Sequence, residues 1–286
     1  MHSPEPSSAS TVSGFPGGFC VLMAVYRGDD PALFERAILS VFANDLLPDQ
    51  FVLVVDGPVP EAVAAIIAAH ESAQRMEVVR LEQNVGLAQA LNAGLACVRT
   101  TWVVRADADD FNLPSRFSRQ AAAVRAEPAL DVIGGAMLEV ERDDTPIAVR
   151  ATPTGHRDIL RQMPMRNPMN HPAIAYRAEL ARGVGGYPSV HLKEDYAMWC
   201  MFAKANARFA NLPDVLVRAT AGVDMYRRRG GLRYIRSEIA MQRLMTDLGL
   251  KSRRAALLHG VMRSAVFAMP NQARALVYRR LLRKRA

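Results

Sequence analysis

Phe19 to Tyr26, FCVLMAVY, is an unbroken run of apolar residues. A strand with one face in water alternates polar and apolar residues, so a continuous run requires cover on both faces. Asp30-Pro31 follows, a helix-capping residue with Pro at the first helical position. Leu33, Phe34, Ala37, Ile38, Val41 and Phe42 then recur at helical spacing. Phe51 to Val55 is a second doubly buried strand, ending at Asp56-Gly57-Pro58. An Ala-rich helix from Glu61 to about Gln74, a strand Met76 to Leu81, a helix Gly86 to Val98 and a strand Trp102 to Arg105 complete the pattern. Strands alternating with helices predict a parallel sheet with right-handed crossovers. Its ligand belongs beyond the carboxyl ends of the strands. Polar residues gather there, at Tyr26 to Gly28, Asp56-Gly57, Asn84 to Gly86 and Asp107 to Asp110. No GxGxxG and no GxxxxGK[ST] occurs, which leaves a dinucleotide fingerprint and a P-loop unsupported.

The 286 residues, half of them apolar, suit one large α/β domain with a short appendage. Residues 1–18 are rich in Ser, Pro and Gly and lack both a basic start and an apolar stretch. They are expected to be a disordered lead-in rather than a signal peptide. Cys20, Cys97 and Cys200 are scattered, without metal spacing, which suits a reducing compartment. No apolar stretch is long enough to cross a bilayer, so a cytoplasmic location is expected. The net charge is +8, yet ten basic residues and no acidic one lie from Lys251 onward. The basic character therefore belongs to the tail.

Two acidic motifs could carry chemistry. In Arg105-Ala106-Asp107-Ala108-Asp109-Asp110, extended backbone would aim Asp107 and Asp109 to the same side. Two carboxylates suit Mg²⁺ or Mn²⁺ completed by substrate phosphates; the plain alternative is an acidic turn near the N-cap of a helix starting at Pro114. In Lys193-Glu194-Asp195-Tyr196, the acids either complement a helix N-terminus or supply a general base for an acceptor hydroxyl.

The motifs taken in order resemble those of family 2 glycosyltransferases. The likeness runs through LMAVYRGDDPALFERAILSVFANDLLPDQFVLVVDG, LEQNVGLAQALNAGL, VRADADDFNLPSRFSRQ, NPMNHPAIAYR, GGYPSVHLKEDYAMWCMFA and MYRRRGGLRYIRSEI, roughly Phe19 to Gly249. It is most like the amylovoran-type subgroup, which adds sugars to exopolysaccharide or lipopolysaccharide repeat units. The resemblance implies a GT-A fold over 19–249, a mostly parallel sheet flanked by helices, with a helical tail over 250–286. It implies an inverting enzyme that takes a sugar from a nucleotide diphosphate, UDP being expected, with Mn²⁺ or Mg²⁺. Asp107 and Asp109, with Ala108 between them, match the DxD motif that binds metal and diphosphate. Asp195 matches the base of the Glu-Asp motif, beside Glu194. Ala24, Val25 and Tyr26 match the turn beside the nucleobase, Asp56 a carboxylate that contacts the base, and Asn84 and Gly86 a loop of the nucleotide site. Asn170 and His171 match a segment near sugar and acceptor. Only one Asp follows the second strand, where the family commonly has two, which weakens the base contact. The Gln-x-x-Arg-Trp motif of processive synthases is missing, which implies single-sugar transfer.

Arg227, Arg228 and Arg229, before Gly230-Gly231, either clamp the diphosphate or form a solvated basic turn. In the tail, Leu258, Val261, Met262 and Ala265 share a helical face with arginines around it. That suits an anionic bilayer surface, at the inner face of the plasma membrane beside a polyprenyl-diphosphate-linked or other saccharide acceptor. The other reading packs the tail on the domain. A nucleic-acid-binding protein is a rival that the charge alone allows, but the tail lacks interleaved aromatic residues. An inactive sugar-nucleotide binder is the nearer rival, and the intact Asp107, Asp109 and Asp195 speak against it.

Overall fold

The computed structural model describes residues 14–73, 76–221 and 231–268. Residues 1–13 of the expected lead-in and the arginines at 227–229 lie outside them. So do the end of the second expected helix at Gln74 and the last part of the tail. Among the described residues nine strands form one sheet.

The first half follows the alternation of the sequence. Strands β1 (Phe19–Val25), β2 (Gln50–Val55), β3 (Met76–Arg80) and β4 (Trp102–Arg105) are parallel. Every residue of β1, β2 and β4 is buried. Phe19, Val21, Met23 and Val25 pack on one face beneath α1 (Pro31–Phe42), α2 (Glu61–Ala73) and α4 (Arg116–Ala126). Cys20, Leu22 and Ala24 pack on the other, beneath α3 (Leu87–Cys97). Period-two alternation in β1 thus divides one apolar run between two cores. Asp30 caps α1 as its sequence requires, accepting from the amides of Ala32 at 3.0 Å and Leu33 at 3.3 Å. Phe15 is already buried against Phe19 and Trp102, so the packed chain begins before β1.

The second half is mixed. Beyond β4, strand β8 (Ala175–Arg177) runs antiparallel to β4 and to β6 (Val132–Val140). Strand β9 (Phe209–Thr220) runs parallel to β6, while β5 (Phe111–Asn112) and β7 (Pro146–Arg150) add antiparallel edges. Helices α5 (His156–Gln162), α6 (Ala178–Gly183) and α7 (Glu194–Lys204) cover the same face as α3. The C-terminal helices α8 (Leu232–Asp247) and α9 (Arg253–Ala268) pack against each other, and α8 packs on α7. Cys20, Cys97 and Cys200 are free thiols, and burial pushes Cys20 and Cys200 up to about 12. Among the described residues no helix is long and apolar enough to cross a membrane.

Candidate active site

In the sheet, β2 and β3 lie on one side of β1 and β4 on the other. The loops leaving the carboxyl ends of β1 and β4 therefore part and open a cleft. Its volume is about 350 Å³, within the usual range for small-molecule sites. Ala24, Val25, Tyr26, Asp56, Asn84, Gly86, Asp107, Ala108 and Asp109 all line it. Asp29, Leu87 and Arg105 line it as well, without a role assigned from sequence.

Asp56 follows the last residue of β2 and is 4 % exposed. Its carboxylate accepts from Asn84 Nδ2 at 2.9 Å, Val85 N at 2.7 Å and Gly86 N at 3.0 Å. A carboxylate has about four acceptor positions, so most of Asp56 is spent on holding the Asn84–Gly86 loop. Gly57 makes the close approach possible. Its φ is +81°, and a Cβ there would stand 2.5 Å from the Asn84 amide nitrogen.

The Asp107–Asp110 segment leaves β4 as a turn rather than continuing the strand. The proximity of Asp107 and Asp109 thus comes from the turn, not from strand alternation. Nor are Asp109 and Asp110 caps of the next helix: β5 intervenes, and α4 starts at Arg116 with Ser115 as its N-cap. Two ties fix the turn to the end of β9. Asp110 Oδ1 accepts from Thr220 N at 2.9 Å, and the Asp109 carbonyl accepts from Thr220 Oγ1 at 2.6 Å. From below, Arg105 pairs with Asp107 and donates to the Leu22 carbonyl at 3.1 Å. Fully buried Arg116 donates to the carbonyl of Arg105 at 2.8 Å.

Asp29, Asp107 and Asp109 share this space. Burial pushes Asp109 up to about 7, with further push from Asp107 and Asp29. Burial likewise raises Asp29 to about 6, with Asp107 adding to it. Crowded hard oxygen donors short of positive charge fit a divalent cation. Among the described residues no cluster of three or more acidic, His or Cys side chains could hold a metal. Asp107 and Asp109 could offer a carboxylate pair, which suits a cation whose other ligands are phosphate oxygens.

Glu194 and Asp195 are the first two residues of α7, whose N-cap, Lys193, makes no side-chain capping bond. Asp195 Oδ2 accepts from Asn167 Nδ2 at 2.7 Å. Burial, then Asp195, pushes Glu194 up to about 7, and Asp107 adds to the shift. His171, in a short 3-10 turn, has its pKa lowered by burial and by Arg105, against the pull of Asp107 and Asp195. Glu194 and His171 thus both feel the Asp107 and Asp195 carboxylates, while neither they nor Asp195 are among the residues that line the cleft.

Comparisons with known proteins give the family and the fold. Residues 20–179 match the model of "Glycosyl transferase family 2". The chain is 32 % identical over 260 residues to "Amylovoran biosynthesis glycosyltransferase AmsE" of Erwinia amylovora, covering 91 % of this chain and 97 % of that one. The chain belongs to glycosyl transferase family 2. This family 2 glycosyltransferase is also 29 % identical over 266 residues to "UDP-Gal:alpha-D-GlcNAc-diphosphoundecaprenol beta-1,3-galactosyltransferase" of Escherichia coli, covering 93 % of this chain and 97 % of that one. Its fold is GT-A-like, similar to the mannosyltransferase PcManGT of Pyrobaculum calidifontis solved with GDP-Man and Mn²⁺. The TM-score is 0.62 at 17 % identity, covering 97 % of this chain and 84 % of that one.

Not every expected site residue of the glycosyltransferase reaches the cleft. Asn170 is buried, and its amide nitrogen donates to the carbonyls of Gly135 at 2.9 Å and Arg150 at 3.0 Å. That makes it a tie between β6 and β7 rather than a group presented to sugar. His171 meets the Tyr187 hydroxyl at 3.2 Å, and the tyrosine continues to Tyr176 at 3.1 Å. Arg228 lies outside the described residues.

Proposed function

We propose that this glycosyltransferase moves one sugar, with inversion, from a UDP-sugar to a saccharide carried on a polyprenyl diphosphate during exopolysaccharide or O-antigen assembly. The observation that carries the reading is two acidic groups with different partners, one lining the cleft and the other at the start of α7. Asp107 and Asp109 crowd together beside Arg105, while Asp195 is oriented by Asn167 at the start of α7. In this reading the nucleotide lies against Ala24 to Tyr26 and the Asn84–Gly86 loop. Asp195 takes the proton of an acceptor hydroxyl. The oxygen then bonds to the anomeric carbon from the face opposite the diphosphate, whose bond to the sugar breaks. Mn²⁺ or Mg²⁺ held by Asp107 and Asp109 would neutralise charge on the departing diphosphate. The relatives' names support a lipid-linked acceptor and a role in surface polysaccharide. A panel of nucleotide sugars with Mn²⁺ and a polyprenyl-diphosphate saccharide tests the reading. Metal-dependent transfer from a UDP-sugar is expected, and turnover with no UDP-sugar across such a panel would contradict it.

The tail supports placing the enzyme at the inner membrane face. Helix α9 turns Ala256 and Phe267 inward, but leaves Leu257, Leu258, Val261 and Met262 between 59 % and 70 % exposed. Ala265 is exposed too, so the whole face expected to meet lipid is open. Exposed Arg253 and Arg254 flank it, and six further basic residues with no acidic one follow to the end of the chain. An apolar face rimmed by cations complements anionic headgroups, each basic residue contributing about 1 kcal/mol. The enzyme is expected to co-sediment with vesicles containing anionic phospholipid at low salt, less so as salt screens the attraction. Leu258→Glu with Met262→Glu, at exposed positions, should reduce binding by about tenfold or more. Wild-type protein that ignores such vesicles would remove the membrane role.

A further inference from the structure

Asp195 stands two residues beyond a side chain that the reaction does not use. Lys193 is 8 % exposed in its side chain, and its ammonium pairs with Glu238 of α8, which is fully buried. Gln242 Nε2 donates to the other Glu238 oxygen at 2.6 Å, and Arg263 of α9 stands 3.5 Å from the carboxylate. The Lys193 ammonium also lies 5.4 Å from the ring centroids of both Tyr234 and Phe267. Those rings meet edge to face at 4.6 Å. One lysine is thus enclosed by two helices that lie some 40 to 70 residues further along the chain.

The segment that Lys193 ends is held against its own preference. Leu192 has a φ of +62°, a left-handed conformation that is costly for a residue with a bulky side chain and persists only when its surroundings impose it. Its side chain is exposed and supplies no packing in return. The constraint comes from either side of it: Ser237 Oγ donates to the His191 carbonyl, and Lys193 is clamped by Glu238. Lys193 is also the N-cap of α7, its carbonyl accepting from Ala197 N at 2.9 Å. Where Lys193 is fixed, the first turn of α7 is fixed, and Asp195 lies in that turn. A plain structural tie between α8 and the body would not need a lysine next to the acidic pair, nor a strained residue before it.

We infer that the buried Lys193–Glu238 pair, clamped by Gln242 and Arg263, is a positioning device that holds the Asp195 carboxylate at the angle where it meets the acceptor hydroxyl. The inference rests on the reading of Asp195 as the base. It makes Lys193 and Glu238 positioning residues, acting through the start of α7, and it makes the C-terminal helix pair part of the catalytic architecture. Displacement of a reacting group by about 1 Å can cost about a hundredfold in rate, so a short rotation of that turn is enough to matter.

Breaking one half of a buried pair strands the other charge, so the test uses the charge-free pair Lys193→Met/Glu238→Leu. It is expected to fold, to bind UDP with unchanged Kd and to lose about 10- to 100-fold in kcat for transfer. Introduced into Asp195→Asn, the same pair should cost almost nothing further, because groups acting as a unit are not additive. Ser237→Ala, too small a change to unfold the helix pair, releases the His191 carbonyl. It should lower kcat by about threefold to tenfold at unchanged UDP Kd. Wild-type kcat in the charge-free pair, or in Ser237→Ala if that pair does not fold, would overturn the inference. So would a full multiplicative loss in the Asp195→Asn background. Wild-type transfer by Asp195→Asn alone would instead sink the base reading, whatever the pair does.

Discussion

Asp195→Asn is expected to lower sugar transfer by about 10²- to 10⁴-fold, the range for loss of a general base, while UDP binding stays as in the wild type. The asparagine keeps the size of the side chain and can still meet Asn167, the 2.7 Å partner of the carboxylate. What it cannot do is accept a proton. In the proposed reading the donor meets the cleft formed by the loops after β1, β2 and β4, which Asp195 does not line, so donor binding should be untouched. Titration with UDP alongside steady-state transfer separates the two effects. Loss of UDP binding together with transfer would make Asp195 a donor ligand or a structural residue.

Asp109→Asn is expected to act in the opposite manner. Turnover should fall by about a hundredfold or more, and donor binding should lose its dependence on Mn²⁺. The fold itself should gain. Asp109 is pushed up to about 7 by burial and by Asp107 and Asp29. At pH 8 the carboxylate is ionised in the folded protein at a cost that the unfolded chain does not bear. The sign follows from the raised value: this group's contribution is fully present below the ordinary carboxylate range and is lost as pH rises through about 7. A neutral asparagine removes that loss. In metal-free buffer at pH 8 the variant should therefore melt a few degrees higher than wild type. Normal Mn²⁺-dependent turnover in Asp109→Asn would contradict the metal assignment. A lower melting temperature would contradict the electrostatic account of the turn.

The two halves of the sheet differ in how they show in the sequence. β1, β2 and β4 are buried on both faces, and a strand in that position has to be continuously apolar, so FCVLMAVY and FVLVV announce themselves. β6 contains Gly134-Gly135, which reads as a breaker. In the fold those glycines admit Asn211 and Leu216 of the neighbouring strand, which a Cβ would meet at 2.2 Å and 2.4 Å. β9 contains Pro213 and shifts register against β6 near Gly135 to Met137, so no clean alternation survives. β5 is two residues long and has no period at all.

The site divides in a similar way. Motifs whose residues are close in sequence, such as Asp107 to Asp109 and Glu194-Asp195, are visible because the spacing is local. Asp29 was hidden beside a capping residue, and Arg105 beneath the acidic run it serves. Asn170 is placed near sugar and acceptor by the family resemblance alone, and its amide nitrogen donates to carbonyls of two strands. The Lys193–Glu238 pair spans 45 residues, and long-range pairs leave no local spacing to read.

The most direct test of the account is the anomeric configuration of the sugar in the product formed from an α-linked UDP-sugar. An Asp195 base that activates an acceptor hydroxyl for attack opposite the diphosphate gives a β-linked product in one displacement. A product that keeps the α configuration would contradict that chemistry.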